Sequence, residues 1–378
     1  MLIHHLSFKD HSLNWELRNT ELSRLTLLVG ASGVGKTKIL RSILSLSRIA
    51  SGMAQDGTEW NVAFTVDGGK DYQWKGKFES HGIRYDIDDE NDSSKRSKIL
   101  TEELALNGRV IAKRNGLDFS FNKKQLPKLP PQQSLLNLLK EEELIKPAYE
   151  GLKRIIFSDQ SESLREPYRV NLFDANKLAK KLKTIEAIRD SNERNKTKLY
   201  LCYVNQKKVF GQIRDRYVDI FPQVEDIKVE PLDVQEEGVP EFFKDLPFIQ
   251  IKEKGVNKWV EQGVISSGML RTLLHLSEIY LCKEGTVFLI DEFENSLGIN
   301  CIDELTNDIV RSKRDIQFII TSHHPYIINN INPSSWKLVT RNASIVKTQD
   351  VSKFNFSKSR HDAFMQLLQL EEFQSGRA

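Results

Sequence analysis

Residues 30–37 read Gly30-Ala31-Ser32-Gly33-Val34-Gly35-Lys36-Thr37, a spacing that can hold a chain of phosphates. Glycine at Gly30, Gly33 and Gly35 lets successive backbone N–H groups turn inward, and Ser32 lies within the same cradle. Lys36 can reach the β and γ phosphates, and the Thr37 hydroxyl can hold Mg²⁺. At average residue frequencies a chain of this length carries such a pattern by chance roughly once in a hundred cases.

A second group sits where Phe288-Leu289-Ile290 runs into Asp291-Glu292. An apolar strand that ends in two adjacent carboxylates delivers them to the ligand edge of a parallel sheet. Asp291 would hold Mg²⁺ through its water shell, and Glu292 would orient or polarise the water that attacks the γ-phosphate. His323, in Thr321-Ser322-His323-His324, follows another apolar run and could bond the same phosphate and water. Ile265-Ser266-Ser267-Gly268-Met269 stands ahead of a helical pattern, so Ser266, the Gly268 amide and the helix N-terminus form a second anion-binding element. A single phosphate loop has no obvious need of two.

The elements that must position these groups are legible around them. Residues 25–29 (LTLLV), 286–290 (TVFLI) and 316–320 (IQFII) are short apolar runs of the kind buried on both faces of a parallel sheet. Ile39, Leu40, Ile43, Leu44 and Leu46 fall at helical spacing after Lys36, and Ser51-Gly52 stops that helix. Residues 300–310 repeat the helical pattern. From 61 to 121 short alternating segments broken by Gly, Asn and Asp predict an antiparallel meander, with a polar loop at 86–98. Pro127, Pro130 and Pro131 close it, and residues 134–221 read as mostly helical, with a basic amphipathic centre at 176–200. Residues 224–245 read as an acidic surface segment, and 248–252 as a strand returning to the core. The expected fold is α/β: a phosphate-loop core with an antiparallel meander and an inserted helical lobe. The expected division is 1–133, 134–247 and 248–378.

The 378 residues carry 55 Lys and Arg against 52 Asp and Glu, so any polyanion would have to bind a local patch. The segment 176–200 and the cluster Arg311-Ser312-Lys313-Arg314 are the candidates, which leaves DNA open as a partner. Cys202, Cys282 and Cys301 are too few and too scattered for a disulfide framework, which suits a reducing cytoplasm. The opening MLIHHLSFKDHSLNW lacks a signal-peptide core, and no apolar run approaches the ~18 residues of a spanning helix, so no membrane partner is expected. At the end of the sequence, Phe364, Leu367 and Leu368 share one helical face that would pack on the core or on a partner.

Taken in order, these motifs resemble the ABC-type ATPases: phosphate loop, an ISSGM signature, Asp291-Glu292, the D-loop Asn295-Ser296-Leu297-Gly298 and the switch residue His323. The resemblance implies ATP and Mg²⁺ as cofactors and ATP hydrolysis. It also implies that Ser266 and Gly268 bind ATP held by the opposite subunit of a homodimer or higher even-numbered oligomer. Ser267 and Met269 depart from the usual signature. A glutamine that senses Mg²⁺ is expected as well, with Gln132 and Gln133 as candidates. The long interval from Lys36 to Ser266 is similar to the chromosome-maintenance, RecF and overcoming-lysogenization-defect branches. The TSHHP and ENSLG segments resemble stand-alone ATPases of bacterial anti-phage systems of the Septu, retron-linked and PARIS types. That last resemblance implies a separate effector nuclease or toxin. The same residues would equally serve a nucleotide-dependent scaffold with little turnover, or a DNA-repair head.

Overall fold

A computed structural model of the chain describes residues 1–81, 97–158, 171–231, 246–295, 299–311, 314–354 and 359–377. In chain order it begins with β1 (Leu2–Asp10), β2 (Trp15–Glu21), β3 (Leu25–Val29) and α1 (Lys36–Ala50). The meander follows as β4 (Thr58–Val66), β5 (Lys70–Phe78), β6 (Ile99–Leu106), β7 (Arg109–Asn115), β8 (Asp118–Phe121) and β9 (Lys124–Gln125). Two short helices, α2 (Leu135–Leu138) and α3 (Lys146–Lys153), lead to β10 (Ile155–Phe157). Next come α4 (Leu172–Lys181), α5 (Ile185–Asp190), α6 (Asn195–Asn205) and α7 (Lys207–Ile220), then β11 (Val224–Glu230), β12 (Phe248–Glu253) and β13 (Trp259–Glu261). The remainder is α8 (Ser267–Leu281), β14 (Thr286–Ile290), α9 (Ile299–Arg311), β15 (Ile316–Thr321), α10 (Pro325–Asn330), β16 (Trp336–Asn342), β17 (Ile345–Asp350), α11 (Arg360–Gln369) and α12 (Glu371–Ser375).

The chain forms two compact units. The first comprises Met1–Ser158, Glu284–Phe293 and Val310–Ala378. Its described strands join one sheet in the order β10-β14-β15-β3-β16-β17-β2-β1-β4-β5-β6-β7-β8-β9. From β10 to β16 every neighbour is parallel, and from β2 outward the meander is antiparallel. The three apolar runs of the sequence are the central strands β3, β14 and β15, and their Leu27, Leu289 and Ile319 have no exposed surface. Helix α1 turns Ile39, Leu40, Ile43, Leu46 and Ile49 into the core, each fully buried side chain contributing about 1.5–3 kcal/mol. The meander packs its own aromatic cluster, with the Trp60 ring 5.0 Å from Trp74 and 5.6 Å from Phe78.

The buried carboxylate of Glu102 on β6 ties the meander to the chain that leaves it. It accepts hydrogen bonds from Trp74 Nε1 (2.9 Å), Ser134 Oγ (2.5 Å) and the Leu135 amide (2.8 Å), and burial pushes its carboxyl above the usual carboxylate range. Arg114 donates to the carbonyls of Pro130 and Pro131, which explains how the proline run is held.

The second unit comprises Asp159–Lys283 and Glu294–Ile309. Its α5, α6 and α7 pack with α8, α4 packs on α6, and β11-β12-β13 form a small antiparallel sheet. Asn205 donates to the carbonyls of Ala179 and Leu182, fixing the α6–α7 junction to the end of α4. Arg216 on α7 bonds Glu304 and Asp308 of α9.

The divisions at 133 and 247 give way to breaks at Ser158 and Lys283, with 294–309 returning to the second unit. The reason is pairing. Strand β10 adds to β14 at the edge of the large sheet, which keeps residues 134–158 with the first unit. The basic stretch 176–200 runs through α4, α5 and the start of α6. Residues 224–230 are strand β11, and residues 232–245 lie outside the described residues, as does most of the loop 86–98. Among the described residues no helix is long and apolar enough to cross a membrane, and Cys202, Cys282 and Cys301 are buried thiols outside any disulfide.

Candidate nucleotide site

Parallel pairing brings the strand ends to one edge of the first unit. Leu28 pairs with Thr321, Ile290 with Ile320 and Phe157 with Leu289, so the residues that follow β3, β14, β15 and β10 all leave the sheet there. Gly30 turns β3 into the phosphate loop with φ 149°, and Gly33 and Gly35 follow at 80° and 106°. Only glycine fits at Gly30 for a second reason: a Cβ there would stand 2.5 Å from the Val339 carbonyl oxygen. Gly35 is the N-cap of α1 and offers no side-chain cap. The first-turn N–H groups of α1 therefore have no partner within the helix, and its dipole favours an anion there.

Lys36 is buried, and its ammonium donates to the carbonyls of Gly30 (2.8 Å) and Ala31 (2.9 Å). These bonds hold the cation inside the loop's curve, where a phosphate would meet it. Ser32 and Gly33 are exposed, and Thr37, the next residue of the helix, is half-buried. The donor set fits a nucleotide with Mg²⁺: amides and a lysine for phosphate, a hydroxyl and a carboxylate oxygen for the metal.

The carboxylate pair is organised by Thr321, a buried residue that sequence reading did not single out. Its Oγ1 donates to Asp291 Oδ1 at 2.6 Å and accepts from the Glu292 amide at 2.8 Å. Its carbonyl accepts from the Phe293 amide at 3.1 Å. These three bonds hold Glu292 at φ 44°, a left-handed conformation that costs a non-glycine residue about 1–2 kcal/mol. The strained turn leaves the Glu292 side chain exposed while Asp291 stays half-buried. His323 is also exposed, two residues beyond Thr321. His324 instead caps α10, its Nδ1 accepting from the Tyr326 amide.

Gln133 is not brought to this edge. Its Oε1 accepts from Asn137 Nδ2 at 3.0 Å, and Asn137 lies against Gly52, just past the C-terminus of α1. Helix α1 runs fifteen residues from Lys36 to that end, about 22 Å. Gln132 is its chain neighbour and shares the location. Ser158, by contrast, follows β10, and its amide donates to the Leu289 carbonyl on the strand that carries Asp291. The next residues in the sequence are Asp159 and Gln160, outside the described residues.

In the second unit, Ser266 is the N-cap of α8 and its Oγ accepts from the Met269 amide at 3.3 Å. Ile265 is buried and anchors the loop, while Ser266 is exposed and Gly268 half-buried. Arg271, one turn into α8, donates to the Asn295 carbonyl, tying the signature helix to the start of the D-loop. Residues 296–298 of that loop lie outside the described residues. His275 is buried deeper in α8, and desolvation depresses its imidazole to about 3.

The model for the family described as AAA domain, putative AbiEii toxin, Type IV TA system matches residues 25–329, a span that runs from β3 through the phosphate loop and the carboxylate pair to α10. The chain belongs to this family. No curated protein matches the sequence. Among solved structures, an Smc head bound to the C-winged helix domain of ScpA is similar at 13% identity and a TM-score of 0.55, covering 94% of this chain and 99% of that one. An Smc head domain with an extended coiled coil bound to the C-terminal domain of ScpA, derived from Pyrococcus furiosus, is similar at 13% identity and a TM-score of 0.53, covering 94% and 98%. The fold is similar to that of these Smc head domains.

Proposed function

We propose that this protein binds Mg-ATP at the phosphate loop and hydrolyses it in a homodimer or higher even-numbered oligomer. The observation that carries the reading is the Asp291-Thr321-Glu292 cluster on the same sheet edge as Gly30 and Lys36. Lys36, with the amides at the start of α1, would bind the phosphates. Thr37 and Asp291 would hold Mg²⁺, which supplies charge neutralisation on the phosphate oxygens. Glu292 would take or orient the proton of the attacking water, and His323 would steady that water and the γ-phosphate. Ser266 and Gly268, at the N-terminus of α8, would present a second anion site to the nucleotide of the opposite subunit.

The family's description as a putative AbiEii toxin of a Type IV TA system supports a role in bacterial defence. The chain would be the sensor or regulator of an anti-phage complex, working with a separate effector nuclease or toxin in the cytoplasm. A Lys36→Ala protein should lose Mg-ATP binding, and a Glu292→Gln protein should bind ATP and lose turnover. Effector control that survives Glu292→Gln would mean that the ATP-bound scaffold, not hydrolysis, is the working state.

Exposed Lys177, Lys180 and Lys181 on α4, with Lys183 just beyond, favour a second reading as a DNA-repair or chromosome-maintenance head. That reading predicts ATP turnover stimulated by DNA, falling steeply as salt rises. Turnover unchanged by any DNA at low salt removes it.

A further inference from the structure

Val34 is an apolar residue inside a loop of glycines and small polar residues, and it is only 5% exposed although Ser32 and Gly33 beside it face solvent. The residue that lies against it comes from the far end of the chain. Gly376, the C-cap of α12 at φ 67°, is buried, and a Cβ placed on it would stand 2.5 Å from Val34 Cγ1 and 3.1 Å from Ala31 Cβ.

The sheet explains why the tail fits there. Strand β16 pairs with β3 only as far as Leu338 with Val29, because β3 then turns into the phosphate loop. The Arg341 amide further along β16 has no β3 residue to meet, and it donates instead to the Gly376 carbonyl at 2.7 Å. The tail thus takes the ladder position that β3 gives up. Two glycines of the loop rest on fixed neighbours as well, Gly30 on the Val339 carbonyl and Gly35 on Val346 and Trp15, whereas Gly33 has open space around it. The tail is delivered by α11 and α12. Helix α12 packs on β16, and α11 packs on α10, the helix that starts one residue after His323 and His324.

We infer that the C-terminal tail clamps the phosphate loop through Gly376, which makes Gly376 a positioning residue for nucleotide. The inference rests on the phosphate loop being the nucleotide site. Carbon atoms pack at about 3.5–4.0 Å, so a side chain at 376 must push Val34 away by roughly 1 Å. Val34 joins Gly33 to Gly35, and its displacement turns the neighbouring amides off the phosphates. One charge-assisted hydrogen bond lost in this way lowers affinity about ten- to a hundredfold.

The test is the affinity of the full-length protein for Mg-ATP, measured by titration calorimetry for the native chain, Gly376→Ala, Gly376→Asn, Val34→Ala and the Val34→Ala/Gly376→Ala pair. Asn enters the left-handed region more readily than Ala, so the Asn variant separates the effect of φ from the effect of the added Cβ. The expected result is a loss of at least about tenfold for both single Gly376 variants, with the thermal transition of the nucleotide-free protein held near native. The double variant, in which Val34 no longer reaches the added Cβ, should bind like Val34→Ala alone. Native-like affinity in Gly376→Ala or in Gly376→Asn, or a double variant no better than Gly376→Ala, would overturn the clamp. A native chain that fails to bind Mg-ATP would overturn the nucleotide reading itself.

Discussion

Replacing Thr321 with valine keeps the shape of a buried side chain and removes the single oxygen that holds the carboxylate turn. Two hydrogen bonds disappear, the one donated to Asp291 Oδ1 and the one accepted from the Glu292 amide. A net hydrogen bond contributes about 0.5–1.5 kcal/mol, and a buried donor left unpaired costs about 1–3 kcal/mol. The strained φ of Glu292 then loses a main restraint and relaxes, which recovers part of that cost. A net destabilisation of about 2 kcal/mol is expected, or a fall in Tm of roughly 4–8 °C for a unit of this size. The effect on chemistry should be larger in proportion, because a catalytic group displaced by about 1 Å loses on the order of a hundredfold in rate. Thermal unfolding followed by circular dichroism, with phosphate release at saturating Mg-ATP, measures both. Thr321→Ser retains Oγ and should stay close to native in each. Native Tm and native turnover in Thr321→Val would refute the assignment of Thr321 as the organiser of Asp291 and Glu292.

Other outcomes follow from the same geometry. Gln133 is engaged with Asn137 beside the far end of α1. Gln133→Ala should therefore leave Mg-dependent turnover within about twofold, and a loss of about tenfold or more would contradict this placement. His275 is buried with its imidazole depressed from 6.5 to about 3, so the unfolded chain binds a proton that the folded one refuses. Stability is then complete above pH 6.5 and is lost progressively as pH falls from 6.5 toward 3. Urea titrations across that window should show a shallower decline for His275→Leu, and equal slopes would sink the assignment.

The chemistry of the site was legible wherever it lies in contiguous residues. Residues 30–37 carry their own cradle in glycine spacing, and the apolar runs around 25–29, 286–290 and 316–320 predict the three central strands correctly because a strand buried on both faces needs little context. The meander was legible through alternation, apart from β6, whose ILTEELAL sequence has no clean period of two. Strand β10 was missed for a different reason: three residues at a sheet edge carry too little pattern, and only their pairing with β14 reveals them. Thr321 and Gly376 act through partners far away in sequence, so no local spacing points to them. The C-terminal helical face was foreseen from Phe364 and Leu367, which are buried, and Leu368, which is half-buried, but not its reach to the phosphate loop.

The central claim is that ATP joins two copies of this chain, with Ser266 and Gly268 of one completing the site built on Lys36, Asp291 and Glu292 of the other. It is tested most directly by the solution mass of the Glu292→Gln protein with and without Mg-ATP. A shift from monomer to dimer, or to a larger even-numbered assembly, that is abolished by Ser266→Arg is the expected result. An unchanged monomer mass with ATP demonstrably bound would contradict it.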